Sequence, residues 1–461
     1  MRGVSRIITL LFVGAVCGAA QAADTVDFRT PGAISYRQAK VLVEVEGKLK
    51  LNAEGKELKH LPLKASGELQ YVERVLPAAK SSSAVRLVRE YQTAKADIRL
   101  HESELKNELR SDRKLICVET DGKKSTVFSP SGPLTREELD LVTVPGGGLL
   151  LDTVLPPRQL KTGEQWTLED AAVSRLLGLD SVSQHDFAGT LSSVKDNVAI
   201  LSLAGKVTGS IGGVSSDFEI KGKLNFDVKQ RTITWLTLAY KENRAISHSQ
   251  PGFEVLTTVR MVVAPTQPFA PLNDKSLAGL ALNATESQTL VELKSDSAGY
   301  EVIHDRRWSV MLERPDLTVL RFVDQGDLIA QCNITNPPAL PKGEQLSMEG
   351  FQEDVKRVLG KNFEEMVEAT EEVGDNALRV LRVVVAGKAG ELSIQWTYYH
   401  LSDEHGRRVS FVFTIESNLL EKFAQVDREL IGNFRFIELK QPTLAETKSA
   451  SAPSADGEKV R

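Results

Sequence analysis

Pro265-Thr266-Gln267-Pro268-Phe269-Ala270-Pro271 sets three prolines within seven residues, and the pattern of the chain differs on its two sides. Proline fixes φ and lacks a backbone N–H, so this run continues neither a helix nor a central strand. Upstream, between Ala23 and Val263, the dominant signal is period-two alternation, which places apolar side chains on one face of a strand. Val41-Leu42-Val43-Glu44-Val45 opens it, Ile220, Leu224, Phe226 and Val228 carry it later, and Thr232 to Tyr240 and Val255 to Val263 repeat it. Asp121-Gly122 stands where a tight hairpin wants φ > 0. Thr135-Arg136-Glu137-Glu138 reads as a capping box, and Leu168 to Leu177 as a short helix stopped by Gly178. Residues 84–110 are two-sided: their charges favour helix, while Ala94, Ala96, Ile98 and Leu100 alternate, and strand is the expectation. Residues 23–264 are thus expected to form a mostly antiparallel β domain, of one or two subdomains.

Downstream, residues 265–298 read as a linker, and from Gly299 short strands interleave with two helices. Tyr300 to Ile303, Trp308 to Leu312, Thr318 to Val323 and Leu328 to Ile334 are strand-like. A helix is expected from Glu344 to Leu359, with Phe351, Val355, Val358 and Leu359 on one face and Gly360 closing it. Strands follow at Met366 to Glu371, Ala377 to Val385, Leu392 to Leu401 and Arg408 to Glu416. Asn418 is placed to cap a second helix with the stripe Leu419, Leu420, Phe423, Val426, Leu430, before a last strand from Phe434 to Leu439. Strand runs followed by isolated helices argue for α+β: an antiparallel sheet with packed helices over residues 299–439.

The ends of the chain bear on compartment. Arg2 and Arg6, the apolar Ile7 to Cys17 and the small-x-small Ala20-Gln21-Ala22 read as a secretory signal peptide over residues 1–22. Its apolar run is too short to span a bilayer. Val16 before Cys17 departs from a lipidation signal, which wants a small residue there. Removing the two arginines takes the formal net charge from -5 to -7. With no Lys/Arg run, nucleic acid is not an expected partner. No later apolar stretch reaches membrane-spanning length, so no transmembrane segment is expected in the mature chain. Lys440 to Arg461 has almost no large apolar residue and is expected to be a disordered tail. The expected location is exported, periplasmic or extracellular.

The stretch Tyr300 to Leu439 resembles the PsbP-like α/β/α sandwich and is similar to uncharacterised secreted bacterial proteins that carry such a domain at their C-terminus. The resemblance rests on His304-Asp305-Arg306-Arg307-Trp308, on Asp327-Leu328-Ile329-Ala330-Gln331-Cys332-Asn333, on Ile394-Gln395-Trp396-Thr397-Tyr398-Tyr399 and on Gly406 to Phe436. It covers about a third of the chain. These stretches look like packing and turn features, so the resemblance implies a fold and carries no functional residue over. Upstream, Leu155-Pro156-Pro157-Arg158-Gln159-Leu160-Lys161-Thr162-Gly163-Glu164-Gln165-Trp166 resembles a segment of β-rich bacterial envelope proteins of unknown function.

Signals for chemistry are sparse. The seven histidines form no His-Glu-x-x-His pattern, and no cysteine pair has metal-ligand spacing, so no metal and no cofactor are expected. His400-Leu401-Ser402-Asp403-Glu404-His405-Gly406 joins two strands, and Asp403 to Gly406 reads as a turn rather than a metal site. His304-Asp305-Arg306-Arg307 crowds acid, base and cation: a solvated charged turn on one account, an anion site on the other, since Arg suits bidentate recognition. Trp308 reads as core. Gly146-Gly147-Gly148 lacks the ending of a phosphate loop and reads as a flexible turn, and Gly209-Ser210-Ile211-Gly212-Gly213 as a hairpin loop. There is no Gly-x-Ser-x-Gly elbow, and no catalytic residue is expected. Cys117 and Cys332 read as small buried hydrophobes, with a disulfide between them as the alternative that an oxidising compartment permits.

The expected function is that of an exported, non-enzymatic envelope or periplasmic protein that binds another envelope component. The alternative is a carrier of a lipophilic small molecule held between a curved sheet and its helices, with Leu149-Leu150-Leu151 or the Leu176-Leu177 helix as a lid.

Overall fold

The computed structural model describes residues 25–29, 36–53, 57–76, 85–120, 125–145, 151–248, 250–341, 343–374 and 377–438. The expected signal peptide, the expected turns at Asp121-Gly122 and Gly146-Gly147-Gly148, Leu149-Leu150 and the expected tail from Lys440 lie outside the described residues.

Alternation in the first region persists long enough to make strands of unusual length. Tyr36–Ala53 and Glu57–Leu76, of 18 and 20 residues, pair without a register shift from Tyr36↔Arg74 to Ala53↔Glu57. They sit in a 13-stranded sheet. Its path runs Gln165–Thr167, Ala188–Lys195, Val198–Ile211, Val214–Asp227, Thr232–Arg244, Gly252–Pro265, Tyr36–Ala53, Glu57–Leu76, Val85–Leu100, Leu115–Thr120 and Ser125–Phe128. Every pairing along this path is antiparallel. The two-sided stretch 84–110 is strand: Val85–Leu100 turns back at His101 into Ser103–Glu108. The expected loop at 209–213 is narrower, because Val198–Ile211 stays paired and only Gly212 and Gly213 turn, both at positive φ (57° and 76°).

Inward positions of this sheet bury Val41, Val43, Leu69, Phe218, Ile220, Leu224, Phe226 and Met261 in one continuous core. The covering pieces are two short helices, Arg136–Val142 and Asp170–Leu177, which contribute Leu139, Val142, Leu176 and Leu177. Each fully buried Leu or Phe contributes roughly 1.5–3 kcal/mol. Thr135 caps the first helix as its sequence requires: its hydroxyl accepts from the Glu138 N–H, and Glu138 accepts from the Thr135 N–H. Gly178, at φ 69°, ends the second. Trp166 packs on Gly189, where a Cβ would collide with the indole.

The stretch 265–298, expected as a linker, is packed structure. Its prolines do end the strand Gly252–Pro265, but Pro271 then opens a 3₁₀ turn, Ala270–Leu272, and Asn273 caps Asp274–Leu277. Leu272 and Leu277 are buried against Tyr36, Val72, Val88, Cys117 and Phe128. The reason lies in the sheet: Val72 and Val88 sit on the face opposite the main core and need a cover of their own. Val291–Ser295 is a strand, antiparallel to Tyr300–His304 and parallel to Leu134–Thr135 of the upstream region. With Phe434–Phe436 these make a four-stranded sheet joining the two regions.

The downstream region holds a 7-stranded antiparallel sheet in the order Trp308–Glu313, Leu317–Asp324, Asp327–Thr335, Arg408–Glu416, Leu392–Ser402, Arg379–Ala389, Phe363–Val373. On one face lies the helix Met348–Leu359, burying Phe351, Val355 and Leu359. It starts later than expected, at the Ser347 cap, and Val358 is not on its buried face but 75% exposed. On the other face the expected single helix is two short ones, Leu420–Phe423 and Val426–Gly432, and Asn418 caps neither. Ala424 breaks them at φ 49°. Packing supplies the reason, since Phe423 enters a cluster with Trp308, Phe322 and Phe413 while Val426 and Leu430 follow a separate turn. The chain is therefore mostly antiparallel β sheet with few helices.

Candidate binding surfaces

A 20-residue strand spans about 65 Å at about 3.3 Å per residue, whereas a helix of 7 or 8 residues covers only about 11 Å. The long strands consequently outrun their core. Beyond it the pairing aligns Thr257, Val45, Ala65, Ile98 and Leu105 in one row across five strands. Exposure rises along that row from Thr257 (5%) to Leu105 (55%). An open groove of about 620 Å³ lies here, lined by Val45, Ala65, Ile98, Leu105 and Leu256 together with the acids Glu44, Glu46, Asp97 and Glu104 and the bases Lys64, Arg99 and Lys106. Arg99 pairs with Glu104, and Glu44 with Arg260 at 2.7 Å. Ser103–Glu108 bounds the groove and pairs only with Val85–Leu100 among the described residues, which leaves its other edge open. A second hollow of about 620 Å³ at the same end of the sheet passes over Phe218, Val255 and Leu256.

The histidine of the charged turn, His304, lies in a different place. It is 5% exposed and lines a cavity of about 330 Å³ formed with Glu286, Leu290, Ile303, Trp308, Glu429 and Leu430. Its Nδ1 donates to the Asp305 carbonyl at 2.8 Å. A carbonyl only accepts, so the neutral ring carries its proton on Nδ1 and a lone pair on Nε2. Burial draws its pKa below the ordinary value, the Asp305 carbonyl opposing. The neighbouring arginines are committed elsewhere. Arg307 gives Nε and Nη2 to Asp305, both at 3.1 Å, and stacks on Phe322. Arg306 reaches the Val127 carbonyl at 2.7 Å, and Arg136 reaches the Arg306 carbonyl at 2.6 Å. Of the two accounts of this stretch, structure favours a turn that ties the regions together. Trp308 is core, as expected.

His400 and His405 do not converge. Asp403 accepts from the backbone of His405 and Arg407, making the expected turn with His405 exposed. His400 points under the helix Met348–Leu359 beside Phe351, its Nε2 buried without a hydrogen bond. Among the described residues no group of three His, Cys, Asp or Glu is arranged to hold a metal. Burial, reinforced by Arg408 and Arg379, pulls the His400 pKa from 6.5 to about 4. The unfolded chain therefore takes up this proton first as pH falls, so the contribution to stability is intact above about pH 6.5 and lost toward pH 4. Urea unfolding should show a loss of about 3 kcal/mol between pH 7 and pH 4 from this residue, and His400→Gln should remove that share of the slope.

Cys117 and Cys332 are free and buried in separate clusters, the first among Val72, Val88 and Phe128, the second among Phe322, Phe411 and Phe413. No disulfide joins them, since each is held in its own apolar surroundings. Burial pushes the Cys117 thiol up to about 12 and Cys332 well above its ordinary value. Of the expected lid residues, Leu151, Leu176 and Leu177 belong to the main core.

Two buried charge networks went unread in the sequence. Glu73 takes Arg37 Nη2 at 2.6 Å and Arg89 Nε at 2.8 Å. Arg37 also reaches Asp152, and Arg89 lies over the Tyr71 ring. Arg110 chelates Glu138 and reaches Glu292. A signal for the first did exist, because Glu73 and Arg89 stand at inward positions, in step with Leu69, Tyr71 and Leu87, Tyr91. A charge at such a position needs a partner.

No family model and no curated protein matches the chain. Among solved structures, cyanobacterial PsbP (CyanoP) from Synechocystis sp. PCC 6803 is similar at 13% identity and a TM-score of 0.27, covering 36% of this chain and 99% of its own. The Ran-binding protein Mog1p of Saccharomyces cerevisiae is similar at 8% identity and a TM-score of 0.25, covering 32% and 96%. Lipovitellin is similar at 7% identity and a TM-score of 0.30, over 53% of this chain and 26% of its own. The PsbP likeness is distant and spans about a third of the chain.

Proposed function

We propose that this is an exported, non-enzymatic binding protein whose partner is another envelope protein, held as an extended segment in the groove at the overrunning end of the large sheet. The row Val45, Ala65, Ile98, Leu105 supports this reading: it is apolar, only partly covered, and lies beside an open strand edge. An extended segment adds to such an edge through its backbone and places alternate side chains in the groove. The acids and bases of the lining stand one residue along each strand from the apolar row and so point to the other face of the sheet. A polypeptide of mixed composition thus has both apolar and charged surface to meet. A lipid tail would want an unbroken apolar wall, and of the leucines expected to close over one, Leu151, Leu176 and Leu177 are packed into the core.

The test is a photo-reactive residue placed at Leu105 in the exporting cell, with Val358 on the far helix as control. A discrete protein adduct at Leu105 and none at Val358 is expected, together with a lipid-free organic extract of the purified protein. Equal labelling at both sites, or a lipid recovered at unit stoichiometry, would count against a protein partner and in favour of the carrier.

A further inference from the structure

We propose that the cavity beside His304 binds an alkylammonium group: a primary amine on an apolar stem. This site is separate from the groove and is built from residues 286–290, the end of Tyr300–His304, and Val426–Gly432.

Three observations converge. The Nε2 lone pair of His304 has no hydrogen-bond partner among the described residues, although the side chain is nineteen-twentieths buried. The open space beside this ring is the cavity that His304 lines. A buried acceptor of this kind calls for an N–H or O–H donor. Glu286 and Glu429, from two different segments of the lining, form no ion pair among the described residues, whereas the third acid, Asp305, is taken by Arg307. Glu429 is within electrostatic reach of Arg307 but bonded to no cation among the described residues, and with Glu286 it gives the cavity an acidic rim that favours a donor that is also a cation. Leu290, Trp308 and Leu430 complete the wall with apolar surface, which fits a hydrocarbon stem. Burial keeps the ring of His304 neutral at pH 7, so it accepts a proton contact instead of repelling a cation. A metal ion is the weaker occupant, since among the described residues no three ligands are grouped.

Hexylamine, 1-hexanol and hexanoate should be titrated into the full mature chain by calorimetry, with the indole N–H resonance of Trp308 followed in parallel. Saturable 1:1 binding of hexylammonium is expected, at least tenfold tighter than hexanol, with hexanoate silent. The double variant Glu286→Gln/Glu429→Gln, altered only at exposed positions, should weaken hexylammonium at least tenfold while hexanol is unchanged. N-acetyl-lysine amide separates the sources: affinity equal to hexylammonium assigns the site to a lysine side chain of a polypeptide, and much weaker affinity assigns it to a free amine. Equal binding of hexanol and hexylammonium, no effect of the double variant, or no saturation at all would overturn the assignment.

Discussion

Glu73→Ala is expected to lower the unfolding free energy by about 3–5 kcal/mol, the cost of removing one partner from a buried ion network. Glu73 and Arg89 are 4% and 1% exposed, and Arg37 stands at the other oxygen of the same carboxylate. Burial pushes the Glu73 carboxyl up, and Arg89 and Arg37 more than offset it, so the group is held below the usual carboxylate range. Without it, Arg89 keeps its place over Tyr71 but loses its carboxylate partner, while Arg37 retains Asp152 at 3.0 Å. A cation so enclosed is costly, and water has little access to it. Urea unfolding followed by far-UV circular dichroism measures the effect. The pair Glu73→Leu with Arg89→Met should be less damaging than either single change, because it removes charge from both sides of the contact. A wild-type midpoint for Glu73→Ala would show that the network is hydrated in solution.

Arg110→Ala should cost about 3 kcal/mol and, unlike Glu73→Ala, loosen the join between the two regions. Arg110 gives Nε and Nη2 to the two oxygens of Glu138, at 2.7 and 2.8 Å, and Nη1 to Glu292 at 2.9 Å. Removing the guanidinium leaves two buried carboxylates facing each other. Glu138 also caps its own helix through Thr135, and Glu292 sits in the strand Val291–Ser295 paired to Leu134–Thr135. Hydrogen exchange should therefore speed up at 291–295 before it does in the long strands of the main sheet. Arg110→Lys should recover only part of the loss, since an ammonium cannot span both oxygens of Glu138 and reach Glu292 as well. Unchanged exchange at 291–295 would place the strength of the join elsewhere, in the Arg306 and Arg136 contacts to backbone carbonyls.

Local features came through from the residues directly. The capping box at Thr135, the stop at Gly178, the strand character of 84–110 and the turn at Asp403 are each decided by interactions within a few residues. Helix breaks and faces were harder. Nothing in Phe423-Ala424-Gln425 signals an end, and the break there follows from Phe423 seeking Trp308 and Phe322. Val358 is apolar and in helical step with its neighbours, yet it is exposed while Phe351, Val355 and Leu359 take the buried face.

By itself the sequence determined the strand periodicity and the end of the strand Gly252–Pro265 at its prolines, because each depends on spacing along the chain. Tertiary structure alone decided that 265–298 is a packed cover and not a linker, since the need for it arises on the back of strands 200 residues earlier, at Val72 and Val88. It alone decided where charges meet. Arg110 and Glu292 lie 182 positions apart, and Arg306 and Val127 lie 179 apart. The groove and the His304 cavity belong to the same class: a surface left open is set by how far the strands outrun the helices that cover them, and by which buried acceptor finds no donor. Both are differences between distant parts of the chain, and no local pattern records a difference of that kind.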